Sequence, residues 1–396
     1  MIPRESYFKQ IEPFVGKNVI KVLVGVRRCG KSTLLEMLYD KFLDQGIPAE
    51  NMLHITLESS EFASVDTKEA LVDYVTGRID RSQHVKLLFD EIQEVHGWEN
   101  ALRSFMVDLD ADIYITGSNA HVLSSDLATY ITGRYVYPLS FSEFCPAYIE
   151  ANPGATEKSA FIAYVIQGGF PFQSALEFEQ EPSVKYLEDL FSTILLKDVV
   201  KRNNIRDVDL LEHLARYAAA EEGHLLSMKS ISDYLKSERR KTASETIANY
   251  MNAMEKAFLL YKVPREDAVG KQRLAFNEKW YVVDQGLRQA MGMSNQMNID
   301  QVLEGVVCME LKRRGYKVSV GKVGDLEVDF VAKRGNELEY YQVTYLMVDE
   351  RTREREFASL SAIPDNYPKF VLSMDEFDFS KEGIRAINLV DWLLGE

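Results

Sequence analysis

Eight consecutive residues constrain this chain more than any other feature. Gly25, Val26, Arg27, Arg28, Cys29, Gly30, Lys31 and Ser32 match the pattern G-x-x-x-x-G-K-[ST] in full. The pattern carries meaning only between a strand and a helix, and both are readable here. Residues 19–24, VIKVLV, are a β-branched run that predicts a buried strand. Residues 33–39 carry apolar side chains at helical spacing. Glycines let such a loop turn tightly and aim N–H groups at phosphate oxygens, and the helix N-terminus adds its partial positive charge. Lys31 is then placed for the β- and γ-phosphates of ATP, and Ser32 for Mg²⁺. The run from Gly25 to Thr33 is the predicted nucleotide cradle.

Two further signals follow. Residues 85–89, VKLLF, predict a second buried strand running into Asp90 and Glu91. A carboxylate at the C-terminal edge of a strand beside the loop can hold the Mg²⁺ shell. A glutamate directly after it suits a general base for an attacking water. Residues 113–116, IYIT, predict a third strand leading to Ser118 and Asn119. A polar side chain there would lie between the two other strands near the γ-phosphate and orient the water; a plain Gly-Ser-Asn turn is the rival reading. Residues 52–57 predict another strand, and residues 70–79 and 98–109 crossover helices. This alternation predicts a mostly parallel sheet with helices on both faces. An arginine reaching the γ-phosphate, from the same chain or from a neighbouring subunit, completes such sites. Arg134, ahead of a predicted strand at 135–139, is the first candidate; Arg27 and Arg28 lie in the loop, and Arg103 is on a helix. Cys29 is either a loop filler or an oxidant sensor.

The remaining 250 or so residues need their own domains at roughly 100–200 residues each. With 46% hydrophobic residues the chain has material for several cores, and its net charge of −15 argues against a dedicated nucleic-acid coat. Three scattered cysteines, Cys29, Cys145 and Cys308, predict neither a disulfide framework nor a zinc cluster. The start is no signal peptide and no stretch is long and apolar enough to span a membrane, so a reduced, cytoplasmic setting is expected.

Residues 141–205 read as helical, broken at Gly168-Gly169-Phe170-Pro171. Residues 206–295 predict three helices (210–217, 227–235, 242–260) and two short strands (260–263, 280–283), the order of a winged helix. Thr246, Asn249 and Tyr250 fall on its third helix. Lys236, Arg239, Arg240 and Lys241 form a basic cluster that either binds DNA phosphates or is a solvated turn. Residues 296–396 predict α-β-β-β-α-β, the order of the PD-(D/E)XK nucleases. Glu304 and Glu327-Val328-Asp329 fit that site. The third strand offers Gln342 and Thr344 where an acid and a lysine are needed, so hydrolysis of DNA is not expected.

The chain resembles a family of bacterial and archaeal AAA+-type P-loop ATPases with a C-terminal domain of unknown function. The marks are the loop with its Arg-Arg insert, residues 88–93, 115–118, Gly133-Arg134, residues 138–144, Gly168–Pro171, Lys197-Asp198, Lys279-Trp280-Tyr281 with Asp284, Glu304 and residues 327–330. The resemblance implies an ATPase core over 1–140, with a degenerate nuclease-like tail. ATP, Mg²⁺ and a protein partner or second copy of the chain follow from it; DNA remains an open alternative.

Overall fold

The computed structural model describes residues 2–123, 127–240, 242–270 and 277–395, so Lys241 of the basic cluster lies outside the described residues. The chain divides into two compact units: 1–137 with 256–258, and 138–255 with 259–396. The first break falls three residues before the expected boundary at 140. The expected divisions at 205 and 295 fall inside the second unit.

The first unit runs α1 (Glu5–Ile11), β1 (Ile20–Val24), α2 (Lys31–Asp44), β2 (Met52–Thr56), α3 (Lys68–Thr76), β3 (Val85–Asp90), α4 (Trp98–Asp108), β4 (Ala111–Gly117) and β5 (Ile131–Tyr135). Among the described residues its strands form one sheet in the order β2-β3-β4-β1-β5, every pair parallel. β1 and β3 are buried along their whole length, as strands covered on both faces must be. β5 begins four residues earlier than the sequence predicts, because it pairs with β1 from Ile20 onward. The N-terminal ends of the three central strands are held by a buried charge network. Asp112 on β4 accepts from Lys86 of β3 at 2.9 Å, from Tyr114 at 2.7 Å and from the Gly16 N–H at 3.0 Å, and also pairs with Lys21 of β1.

The second unit opens with α5 (Phe141–Ala151), α6 (Glu157–Gln167) and α7 (Gln180–Thr193), the last continued by a wide turn over Ile194–Lys201. Next come α8 (Val208–Ala220), β6 (Leu225–Leu226), α9 (Met228–Ser237), α10 (Ser244–Lys256), β7 (Leu260–Val263), β8 (Arg265–Asp267), β9 (Glu278–Val282) and α11 (Gln285–Ala290). β6, β9 and β7 pair antiparallel in that order, one strand more than predicted. The chain ends with α12 (Ile299–Arg313), β10 (Lys317–Val323), β11 (Leu326–Arg334), β12 (Glu337–Val343), α13 (Glu350–Ser361), β13 (Lys369–Ser373), β14 (Ile384–Asn388) and α14 (Leu389–Leu394). Its sheet is β14-β13-β12-β11-β10-β8. The predicted helix-strand order is present, extended by β14 at one edge and by β8 at the other. Val328, Val331, Tyr340, Leu360 and Val371 pack between this sheet and α13. Among the described residues no helix is long and apolar enough to cross a membrane.

Candidate functional site

The loop between β1 and α2 has the shape its glycines permit. Gly30 sits at φ +98° and Arg28 at φ +66°. A Cβ at Gly25 would lie 2.0 Å from the Val136 carbonyl oxygen, so only glycine fits there. Arg4, which no sequence signal singles out, braces the loop. Its guanidinium is buried and donates to the carbonyls of Cys29 (3.1 Å) and Tyr137 (3.0 Å). Cys29 is fully buried, its thiol donates to Val136 O at 3.2 Å, and burial pushes its pKa up. That removes the oxidant-sensing alternative and leaves the loop-filling one. α2 starts at Lys31 with no side-chain cap, in contrast to the reciprocal Ser140–Glu143 box that starts α5.

β4 lies between β1 and β3, and this brings the predicted side chains together. Lys31 Nζ donates to Gly25 O and Val26 O, each at 3.1 Å, and stands 3.7 Å from Glu91 Oε1. Asp90 is 3% exposed and accepts from Thr116 Oγ1 at 2.5 Å and from the Ser32 hydroxyl. Burial pushes the Asp90 carboxyl above its usual range, while those two hydrogen bonds and Lys31 pull it back. Glu91 takes a left-handed backbone at φ +53°; its N–H donates to Thr116 Oγ1 at 2.8 Å, and Gln93 donates to its carboxylate. Thr116 and Gln93 are further parts that sequence reasoning missed. The signal for Thr116 was present: a hydroxyl in an apolar strand, one strand over from Asp90. Ser118 and Asn119 are both buried. Asn119 accepts from the His121 N–H at 2.9 Å, and its Nδ2 is buried without a partner.

The donor set fits a metal-bound nucleotide. Ser32 is exposed and already bonded to the Asp90 carboxylate, a hard oxygen pair of the kind Mg²⁺ takes. The uncapped helix start and the orphaned Asn119 amide are donors of the kind a phosphate satisfies.

The place of Arg134 in the fold needs correcting. It lies inside β5, not ahead of a strand. Its guanidinium donates to Gly133 O (2.8 Å), Thr132 Oγ1 (3.2 Å) and Gln10 O (3.2 Å), and stacks 5.0 Å over Phe14. The N-terminal segment absorbs it, so it does not reach the loop of its own chain. In the loop itself Arg27 pairs with Glu58 at 3.3 Å and Arg28 is exposed; Arg103, on α4, is half-buried. In the second unit, Arg240 pairs with Asp209 at 2.6 Å and Lys236 with Asp233 at 2.9 Å.

Residues 17–145 match the model of the AAA domain, and residues 158–298 that of a domain of unknown function, DUF8612. A Haemophilus influenzae protein described as uncharacterized is 37% identical over 400 residues, which cover 100% of this chain and 99% of the relative. The chain belongs to that protein's family. It is a family built on an AAA domain, and the match to that domain spans the loop, both carboxylates and Asn119. A Methanocaldococcus jannaschii protein, also described as uncharacterized, is 26% identical over 398 residues, 97% of this chain and 87% of its own. Among solved structures, AMPPCP-bound DnaA from Aquifex aeolicus aligns over 64% of this AAA-domain chain and 89% of its own, with 12% identity and a TM-score of 0.34. ORC1 of Aeropyrum pernix in complex with DNA aligns over 74% and 92%, with 11% identity and a TM-score of 0.34. Likenesses that loose add nothing to the reading of the site.

Proposed function

We propose that this AAA-domain protein is an ATP-driven switch: the first unit binds and hydrolyses ATP, and its nucleotide state governs the second unit. The observation that carries the reading is the convergence at the end of β1, where Lys31 Nζ stands 3.7 Å from Glu91 Oε1 and Ser32 is bonded to Asp90. The backbone from Gly25 to Thr33 binds the phosphates. Lys31 exchanges its two carbonyl acceptors for β- and γ-phosphate oxygens. Ser32 and Asp90 would hold Mg²⁺, which would supply charge neutralisation at the phosphate oxygens. Glu91, held by Gln93 and Thr116, accepts the proton of the attacking water. Ser118 and the Asn119 amide orient that water.

With Arg134 committed to the N-terminal segment, the arginine for the transition state comes from another copy of the chain, so the reading includes a homo-oligomer. In the second unit we read α8 to β9 as a winged helix and α12 to β13 as a nuclease-like body; the order of helices and strands supports both. Arg240 and Lys236 pair with Asp209 and Asp233, Arg239 is exposed, and the chain as a whole carries a net charge of −15. This favours a protein partner over DNA.

Steady-state ATP turnover of wild type and Glu91→Gln, with and without duplex DNA, tests the reading. Turnover lost in Glu91→Gln while ATP binding persists is the expected result. Full turnover in that variant sinks the base assignment. Stimulation by duplex would overturn the preference for a protein partner.

A further inference from the structure

The nuclease-like order of α12, β10, β11 and β12 implies a divalent metal on Glu304, Glu327 and Asp329. The residues present do not fit one. The space between the three carboxylates is taken by the ammonium of Lys279, which reaches in from β9. Its Nζ lies 2.8 Å from Glu304 Oε1, 2.9 Å from Glu327 Oε1 and 3.7 Å from Asp329 Oδ1. The Lys279 side chain is 3% exposed, and the three acids hold it protonated. Two further donors engage the same carboxylates. The Tyr281 hydroxyl donates to the same Glu304 oxygen, and the Val343 N–H donates to Asp329 Oδ2 at 2.9 Å. Arg265 adds a second cation 3.8 Å from Glu327. Where the third strand of a nuclease carries an acid, β12 carries Gln342, which turns its amide oxygen to the Asp329 N–H (3.4 Å) and to Ser359 Oγ (3.3 Å). Among the described residues no three His, Cys, Asp or Glu side chains form a set able to hold a metal.

A divalent ion bound by these oxygens would have to evict a buried ammonium already touching all of them. Evicting it would leave that charge without partners, which costs more than the pair itself contributes. We propose that Lys279 is a resident counter-cation that closes this carboxylate site to divalent metal, so that the cluster clamps β9 to α12 and β11 instead of hydrolysing a phosphodiester. The carboxylates that resemble a nuclease centre then serve as the partners of the lysine. Lys279, Glu304, Glu327 and Asp329 act as one unit, and loss of any member unbalances the others.

The test uses the full-length, nucleotide-free chain and Mn²⁺ as the probe, followed by the paramagnetic resonance of free Mn²⁺ and by thermal melting. Wild type should show no Mn²⁺ binding that Asp329→Asn removes, and no metal-dependent shift in melting. Lys279→Met should melt lower, and Mn²⁺ should restore several degrees of that loss, an effect abolished when Asp329→Asn is added. Mn²⁺ bound by wild type and lost in Asp329→Asn overturns the proposal. So does a folded Lys279→Met, judged by near-ultraviolet circular dichroism, that Mn²⁺ does not shift. If Lys279→Met folds neither with nor without Mn²⁺, the comparison of wild type with Asp329→Asn decides alone.

Discussion

Thr116→Val is the sharpest perturbation of the nucleotide site, because it keeps the shape of the side chain and removes one hydroxyl. That hydroxyl is fully buried, donates to Asp90 Oδ1 at 2.5 Å and accepts from the Glu91 N–H at 2.8 Å. A hydrogen bond to a charged acceptor contributes about 1.5–3 kcal/mol, and leaving a buried N–H unmatched costs about 1–3 kcal/mol. Burying a methyl in place of the hydroxyl returns about 0.8 kcal/mol, so the net loss is about 2–5 kcal/mol. For a unit of this size that is roughly 6–15 °C in the melting midpoint. The functional effect follows from the backbone. Glu91 sits at φ +53°, a conformation a glutamate keeps only while its surroundings impose it. The bond to Thr116 is one of the contacts that impose it. Releasing it displaces the Glu91 carboxylate and lowers kcat on the order of 10²-fold. Differential scanning calorimetry and steady-state ATP turnover read the two effects. Thr116→Ser, which keeps the hydroxyl, should retain most of both. A Thr116→Val protein that melts and turns over like wild type would refute the reasoning, since the hydroxyl would then neither brace Asp90 nor hold Glu91.

Gly25→Ala puts a methyl 2.0 Å from Val136 O; displacing the loop costs about 1–3 kcal/mol and should weaken ATP binding at least tenfold in a fluorescent-nucleotide titration. Asp112→Ala leaves Lys21 and Lys86 buried without their shared carboxylate; denaturant unfolding should show a loss of about 3–5 kcal/mol. Glu222 is raised from 4.5 to about 8 by burial, against the pull of Arg288. Between those values the folded chain holds a proton the unfolded chain has lost, so this stability is present at low pH and disappears as pH rises through about 8; denaturant midpoints measured across that window should fall in wild type and flatten in Glu222→Gln.

How much of this was legible in the sequence depended on whether the signal was local. The loop from Gly25 to Ser32 is a contiguous pattern, and its strand and helix flank it directly, so its position followed from reading along the chain. Asp90 and Glu91 were legible because an apolar run announces the strand that carries them. Arg134 was misplaced because strand 131–135 contains Thr132, Gly133 and Arg134 and lacks an apolar run; its pairing with β1 is a tertiary fact. Arg4 was invisible for the same reason. It acts on Cys29 and Tyr137, residues 25 and 133 positions away. Lys279 stood out only as a family mark, and nothing near it in sequence says that it meets three acids from α12 and β11.

The later family marks around Gly168 and Asp284 show how to separate a ligand site from a structural one. Asp284 accepts from the N–H groups of Gly169 (2.7 Å), Gly286 (2.9 Å) and Leu287 (3.3 Å). A Cβ at Gly168 would sit 1.8 Å from Asp284 Oδ1, at Gly169 2.4 Å from Leu139 O, and at Gly286 2.1 Å from Gln167 O. Each glycine is therefore required by a close approach, of the Asp284 carboxylate at Gly168 and of backbone at Gly169 and Gly286, and the carboxylate accepts from three backbone donors. The orphaned buried atoms beside it, the Gln167 and Gln285 amide oxygens, are acceptors and offer an anion nothing. The loop after β1 meets the same steric demand at Gly25, yet it leaves α2 without a side-chain cap and the Asn119 amide without a partner. Tight glycines mark both places. What distinguishes them is whether the polar groups they bring together are matched within the protein, and by that criterion only the loop is open to an anion.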